Sequence, residues 1–393
     1  MSGVVFTALA ICCAIFGSSN EGREGGTILA WGHDCWGQCE PPEPNNGYIT
    51  VAAGGFHSLG LKTDGSIVAW GRNDFSQCDI PLPNSGYVDI SCGNYHSMAL
   101  RADGSIVVWG CDSYGLHSVP EPNSGFTAIA GGGGFSIALR EDGTVEVWGC
   151  NNHGQCEVPE PNRNFTAISA GNFHCIALRA DGTITAWGEN GEGQCHLPVP
   201  NIEFTAVSAG GLHSMALRDD GSIVAWGYDL YGQCDVPEPN TGFVQIESGN
   251  KHNLAIRSDG SLEAWGYDNC GQCQVPSPNQ DYLGVSGGMF HTLALKPDDS
   301  GIIHTISEQS SVAFPNPFID LVTVVFTDQA GEPVTVHDLS GRVVASPGAV
   351  PGDNGGISVK WDGTGPGGGR LSPGVYFIRA TGPGATMVRV ILL

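Results

Sequence analysis

The sequence predicts an all-β chain: a seven-bladed β-propeller closed by its N-terminal strand, followed by a small β-sandwich. Three observations carry this. Trp-Gly recurs at Trp31, Trp70, Trp109, Trp148, Trp187, Trp226 and Trp265, always 39 residues apart. Each copy reads as short alternating strands, with no helical periodicity. Past about residue 300 the period stops and a different set of strand-like runs begins. A fixed period of this length marks one supersecondary unit copied in tandem. No copy can bury its apolar face alone, so the copies stack.

The copy from Tyr87 to Ser124 shows the unit. Tyr87–Ser91 alternates as a strand, and Gly93-Asn94-Tyr95 turns the chain. His96–Arg101 forms a second strand. Asp103-Gly104 reads as a two-residue type I′ turn, which needs positive φ at both central positions. Ser105–Gly110 is apolar at successive residues, so this third strand is expected to be buried on both faces. Pro120 and Pro122 limit the next segment to a short edge strand, because proline cannot donate to a ladder. Three or four antiparallel strands per copy are expected. The strand at 27–31 has no hairpin of its own upstream. The last hairpin, at 293–299, lacks a good third strand, with His304 where Trp is expected. Strand 27–31 therefore completes the last blade and removes an exposed sheet edge.

The 59 glycines and 24 prolines fall at fixed places in the period and mark turns. Acids outnumber bases 40 to 16, for a net charge of −24. A polyanion repels nucleic acid and anionic lipid, so no nucleic-acid partner is expected. The apolar run Val4–Phe16, followed by Gly17, Ser18 and Ser19, reads residues 1–19 as a signal peptide. It is atypical in having no Lys or Arg before the run, and it is too short to span a bilayer. No other segment reads as transmembrane. The propeller is assigned to 26–300, a linker to 301–311 and the second domain to 312–393.

Export places the 12 cysteines that follow Cys12 and Cys13 in an oxidising compartment. Cys39, Cys78, Cys156, Cys195, Cys234 and Cys273 share one repeat position. Equivalent positions of adjacent blades are too far apart for a disulfide, which needs Cα atoms within about 7 Å. These six are read as small buried groups. Cys35 with Cys39, Cys150 with Cys156 and Cys270 with Cys273 are the disulfide candidates.

At Gly93–Gly110 the series Gly-x-x-His-Ser-x-Ala-Leu, Asp-Gly and Trp-Gly falls in register. It resembles the regulator of chromosome condensation (RCC1) repeat, found also in bacterial β-lactamase-inhibitor propellers. The resemblance covers roughly 26–300. Gly follows Trp where WD40 repeats place Asp. In the second domain, Phe314-Pro-Asn-Pro-Phe318, His337-Asp-Leu-Ser-Gly-Arg342, Trp361-Asp-Gly363 and Ser372-Pro-Gly-Val-Tyr-Phe377 resemble FlgD-like immunoglobulin-fold modules and type IX secretion (Por) sorting domains of Gram-negative bacteria. That likeness implies an Ig-like sandwich, secretion machinery as a partner, and release or surface attachment.

One histidine recurs per copy, at His57, His96, His174, His213, His252 and His291, with Phe135 in the remaining copy. Histidines spread one per blade cannot converge on a single ion, and replacement by Phe points to a scaffold role. The seven Trp-Gly tryptophans read as core anchors. Three residues after each Trp stands Asp34, Asn73, Asp112, Asn151, Asn190, Asp229 or Asp268, expected to cap the backbone two residues on. No calcium loop, nucleophile elbow, phosphate loop or zinc-protease motif occurs. No enzyme activity, cofactor or metal is expected.

Positions flanking that fixed Asx vary freely. One series is Trp36, Phe75, Tyr114, His153, Glu192, Tyr231 and Cys270; another is His33, Arg72, Cys111, Cys150, Glu189, Tyr228 and Tyr267. A third precedes the His position: Phe56, Tyr95, Gly134, Phe173, Leu212, Lys251 and Phe290. Trp36, Phe75, Tyr114, His153, Tyr228, Tyr231 and Tyr267 are the candidate binding rim, since aromatic residues dominate interface hot spots. The expected function is capture of a protein or glycan by a monomeric, secreted or surface-displayed scaffold. The enzyme alternative is a lyase or hydrolase at the channel mouth, which requires a carboxylate pair or a His–carboxylate pair there. A third reading is guanine-nucleotide exchange, as in the founding eukaryotic relatives. Acidity, export and the lack of an insertion able to form a nucleotide-displacing wedge weigh against it.

Overall fold

The structure is a computed structural model. It describes residues 25–298 without a break and, within 312–392, eight strands with a few flanking residues. The leader at 1–19, the linker at 301–311 and the Pro315–Pro317 motif lie outside the described residues. The chain divides into two compact units, Met1–Asp299 and Ser300–Leu393.

Every regular element among the described residues is a strand. β1 (Gly26–Gly32) precedes six three-stranded blades. These are β2 (Tyr48–Ala53), β3 (His57–Lys62), β4 (Ile67–Gly71); β5 (Tyr87–Cys92), β6 (His96–Arg101), β7 (Ile106–Gly110); β8 (Phe126–Gly131), β9 (Phe135–Arg140), β10 (Val145–Gly149); β11 (Phe165–Ala170), β12 (His174–Arg179), β13 (Ile184–Gly188); β14 (Phe204–Ala209), β15 (His213–Arg218), β16 (Ile223–Gly227); and β17 (Phe243–Ser248), β18 (His252–Arg257), β19 (Leu262–Gly266). The seventh is assembled from both ends: β20 (Gly284–Gly287), β21 (His291–Pro297) and β1. β1 pairs antiparallel with β21 from Gly26↔Pro297 to Gly32↔His291.

The apolar core lies between blades. Leu59, Leu61 and Ile67 of the first blade pack on Tyr87, Ile90 and Trp109 of the second. The same layer recurs at each junction, ending with Ile28, Leu293 and Leu295 against Tyr48, Val51 and Trp70. Each Trp ties its blade to the preceding one: Trp109 Nε1 donates to the Gln77 carbonyl at 2.9 Å. Trp31 does the same to the Gln272 carbonyl, although 241 residues separate them. On seven blades a Lys or Arg lies over an aromatic ring, as in Arg140 over Phe126 at 4.1 Å and Arg257 over Phe243 at 4.0 Å.

Three local expectations are corrected. The third strand is not the doubly buried one. β7 buries Ile106 and Trp109 only, whereas β6 buries five residues in a row. Blades radiate, so their faces diverge outwards, and the middle strand alone has strands on both sides and blades on both faces. The hairpin is not type I′ either. Only Gly104 has positive φ, at 77°, and its N–H donates to the Arg101 carbonyl. Ala102-Asp103-Gly104 is a three-residue loop, a type I turn followed by a left-handed Gly. Asp103 prefers this form because its carboxylate accepts from both the N–H and the hydroxyl of Ser105. Lastly, no fourth strand forms. Asn123 stands in for one, accepting from the Ile106 N–H and donating to the Ile106 carbonyl. Asn45, Asn84, Asn162, Asn201, Asn240 and Asn279 do the same for their blades.

The second unit holds two four-stranded antiparallel sheets. One orders β22 (Val312–Phe314), β23 (Val322–Phe326), β27 (Ile357–Trp361) and β26 (Ala349–Pro351). The other orders β25 (Val343–Ala345), β24 (Val334–His337), β28 (Gly374–Ala380) and β29 (Met387–Leu392). β22, β25 and β26, of three residues each, are too short to show alternation in sequence.

Candidate functional site

The rim that carries the variable residues is built on a fixed hydrogen-bonded frame. Its deepest members are the recurring histidines, all fully buried. His57 Nε2 lies 3.0 Å from Ser97 Oγ in the next blade, and that hydroxyl donates to the Gln77 carbonyl. The hydroxyl's proton is thus committed, so Nε2 carries the ring proton and donates. His213 shows the same polarity, with Asn253 Oδ1 as acceptor at 2.7 Å and Asn253 Nδ2 donating to the Gln233 carbonyl. The series is cyclic, since His291 reaches Ser58 of the first blade. Where Phe135 replaces His, the next blade's hydroxyl is replaced too: Cys175 stands there and donates to the Gln155 carbonyl. The two substitutions match, one removing a donor and the other a hydroxyl acceptor.

The Nδ1–Cε1 edge of each ring lies against a glycine; a Cβ at Gly54 would overlap the His57 imidazole. Nδ1 of all six histidines is buried without a partner. Burial, followed by neighbouring histidines, pushes His57, His174, His252 and His291 down to about 3. His96 and His213 fall to about 4, again mainly through burial. These are neutral cross-braces between blades.

The loop after each Trp-Gly is held by three further groups. The Asx carboxyl or amide oxygen accepts from a backbone N–H five residues on, not two: Asp34 from Cys39, Asn73 from Cys78, Asp112 from His117. A fully buried Gln, absent from the sequence-level reading, accepts from the N–H two residues before it. Gln38 takes Trp36, Gln77 takes Phe75 and Gln233 takes Tyr231. Its signal was the recurrence of Gln-Cys at this position. Leu116 can replace it because the Trp148 indole uses only the backbone carbonyl there.

The adjacent thiols donate to the carbonyl six residues before, as Cys39 to His33 at 3.4 Å and Cys78 to Arg72 at 3.3 Å. The three candidate disulfides are absent: all twelve described cysteines are free. Burial, then nearby carboxylates, raises Cys39 to about 12, and burial raises Cys195 to about 11. Thiolate is the reactive form, so these thiols are protected by position. Iodoacetamide at pH 8 should label exposed Cys35 in the native protein and spare Cys39, Cys78, Cys156, Cys195, Cys234 and Cys273 until denaturant is added. Peptide mass spectrometry reads this, and equal native labelling of all seven contradicts it.

On this frame the three variable series come together at one end of the ring. The N–H of each second-series residue donates to the carbonyl of a third-series residue, as Arg72 to Phe56 and Tyr267 to Lys251. Ring contacts then run from Tyr228 to Tyr231 (6.1 Å), Tyr231 to Tyr267 (4.8 Å), Tyr267 to Phe290 (5.9 Å) and Phe290 to His33 and Phe56. Arg72 extends the arc over Trp36, Phe75 and Tyr95, and Lys251 sits over Tyr231 and Tyr267. Trp36 is 47% exposed, Phe75 42%, Tyr114 56% and Tyr231 37%. Tyr228 and Tyr267 are half-buried. His153 stands apart, exposed on the facing side, in tilted ring contact with Phe173 and paired with Glu189.

Seven of the ten Lys and Arg residues in 25–298 lie over blade aromatics. Of the other three, Arg72 and Lys251 lie on this arc. The arc flanks the mouth of an axial channel, because Asn94, Asn172 and Asn250, which line the channel, immediately precede third-series residues. The His–carboxylate contacts within 25–298, His153–Glu189 and His117–Asp112, lie on rim loops and not in the channel. Among the described residues, no group of three His, Cys, Asp or Glu side chains is placed to hold a metal. No described helix is long and apolar enough to cross a membrane.

Comparison with known proteins bears on the fold. The model of the regulator of chromosome condensation (RCC1) repeat matches six times, at residues 48–77, 87–116, 126–155, 165–194, 204–233 and 243–272. No curated protein matches the chain in sequence. Among solved structures, Prp20p from Saccharomyces cerevisiae, described with its binding properties to Gsp1p and histones, is 17% identical with a TM-score of 0.61. The alignment covers 73% of this chain and 96% of that one. Human WBSCR16 is 17% identical with a TM-score of 0.56, covering 70% and 99%. The ectodomain of the Arabidopsis thaliana receptor kinase ACR4 is 21% identical with a TM-score of 0.50, covering 61% and 90%. Six segments of the chain thus match the RCC1 repeat, and its larger unit has the fold of an RCC1-like propeller.

Proposed function

We propose that the protein captures a protein ligand on the aromatic arc from Tyr228 round to Tyr95, without catalysis. The carrying observation is that residues varying freely between copies converge on one rim as a continuous, part-exposed cluster of Trp, Tyr, Phe and Arg. Such residues dominate protein–protein hot spots. The rigid frame below them holds their backbones in place, so little ordering entropy is lost on binding. The same reading places the protein outside the cytoplasm, on the strength of its apolar leader and the sorting-domain likeness of 312–393. Full-length protein with both ends intact in the cytoplasm contradicts that placement.

A photo-crosslinking phenylalanine analogue at Tyr231 tests the binding mode in native surface extracts. A protein-sized adduct from position 231, and none from position 199 outside the rim, is the expected result. Adducts that vanish on deglycosylation, or equal adducts from both positions, contradict it.

A further inference from the structure

The axial channel encloses about 440 Å³. One repeat position beside it reads Ala52, Ser91, Ala130, Ser169, Ser208, Glu247 and Ser286. The serines are satisfied across the blade junction. Ser91 accepts from the Gly131 N–H, Ser169 from Ala209, Ser208 from Ser248 and Ser286 from Ala53. Glu247 carries its carboxyl oxygens two atoms beyond the serine Oγ position and makes no such bond. Neither a hydrogen bond nor an ion pair reaches its carboxyl group among the described residues. It is half-buried, densely surrounded by protein, and lines the channel. An enclosed acid without a partner is costly unless a ligand satisfies it.

We propose that the channel is a site for an alkylammonium ion, with Glu247 as counter-ion and the alanine walls taking the alkyl chain. A metal ion would demand several ligating oxygens around it, and no group of three His, Cys, Asp or Glu side chains is placed to supply them among the described residues. The other charged residues lining the channel, Asp89 and Arg101, belong to the second blade, across the ring. The elements packed on β17 bring His213 and Arg218 on β15, and His252 and Arg257 on β18. Both histidines are neutral and committed to the next blade. Both guanidiniums are stacked on Phe204 and Phe243 at the far end of the strand. No cation therefore competes for Glu247.

Burial raises the Glu247 carboxyl to about 8, so it is protonated at pH 7 in the empty channel. An arriving ammonium ion favours the carboxylate, and the displaced proton passes to the buffer. Titration calorimetry with n-butylammonium at pH 7, in two buffers of different ionisation enthalpy, reads both binding and proton release. The expected result is saturable binding with about one proton released, and at least about a tenfold loss of affinity with no proton release in Glu247→Gln. A lysine-bearing peptide in a parallel arm distinguishes a partner's side chain from a free amine; either supports the site if it depends on Glu247. Glu247→Ser, which restores the serine of the other copies, controls for folding. No binding by the wild type, or equal binding by wild type and both variants, overturns the proposal.

Discussion

Lowering the pH from 7 to 5 should remove about 10 kcal/mol of folding stability, most of it through the six cross-bracing histidines. Their folded values are about 3 to 4, against about 6.5 when unfolded. Because the folded values are depressed, the unfolded state binds the extra protons. The stability is complete above about pH 6.5 and is lost as pH falls towards the folded values. At pH 5 each histidine contributes a loss of about 2 kcal/mol by linkage. Glu247 works in the opposite sense. Its raised value of about 8 stabilises the fold as pH falls from 8 towards its unfolded range, offsetting about one histidine's share. A domain stable by about 5–15 kcal/mol should therefore unfold well above pH 4. The physical cause can be isolated. His57→Phe with Ser97→Cys copies the native Phe135–Cys175 pair, and should keep its stability at pH 7 while losing about 2 kcal/mol less at pH 5. Urea unfolding at both pH values measures this; an acid loss equal to wild type contradicts it.

The second large effect concerns β1. Ile28 is 1% exposed and sits between Leu293, Leu295, Tyr48 and Val51. Ile28→Asp buries a charge with no partner and should cost at least about 4 kcal/mol. Ile28→Val, which leaves a one-carbon void, should cost about 1 kcal/mol. The aspartate variant should also loosen the ring's joint, because β1 supplies the outer strand to β21 and sends Trp31 to the Gln272 carbonyl. Thr27 and Gly47 both reach Asp298 at 2.8 Å and lock the same junction. If Ile28→Asp unfolds in urea within about 1 kcal/mol of wild type, the N-terminal strand is not the closing element.

The Trp-Gly period made the blade count and the missing outer strand of the seventh blade legible. Both follow from counting, because a ring forgives no missing strand. Relations between blades were not legible. Asn123 bonds 17 residues away, Ser97 reaches a carbonyl 20 residues away, and His57 reaches a hydroxyl 40 residues away. No local propensity encodes these distances, although each residue recurs in register and so announced that it was fixed. The third strand looked doubly buried because Ile106-Val107-Val108-Trp109 is uniformly apolar. The loss of cover at large radius is a property of the ring and not of the segment. Gly104 was recognised as a turn residue, but Ser105 decided the turn type by engaging Asp103. At the rim, variation between copies shows in the sequence which positions form a series, but not how their side chains are arranged. Tyr228, Tyr231 and Tyr267 join one arc through Phe290, while His153 faces them from the opposite side with Glu189.

The division into a fixed frame and a recognising rim is tested most directly by paired variants, each assayed for ligand capture and for Tm. Trp36→Ala, Phe75→Ala, Tyr114→Ala and Tyr231→Ala together remove exposed rim aromatics whose backbones are held independently. Leu82→Ser with Val199→Ser removes two residues 88% and 96% exposed outside the rim. The rim variant should lose capture with its Tm shifted by only a few degrees, and the second variant should keep both. Capture retained by the rim variant, or lost only because that variant unfolds, would contradict the account.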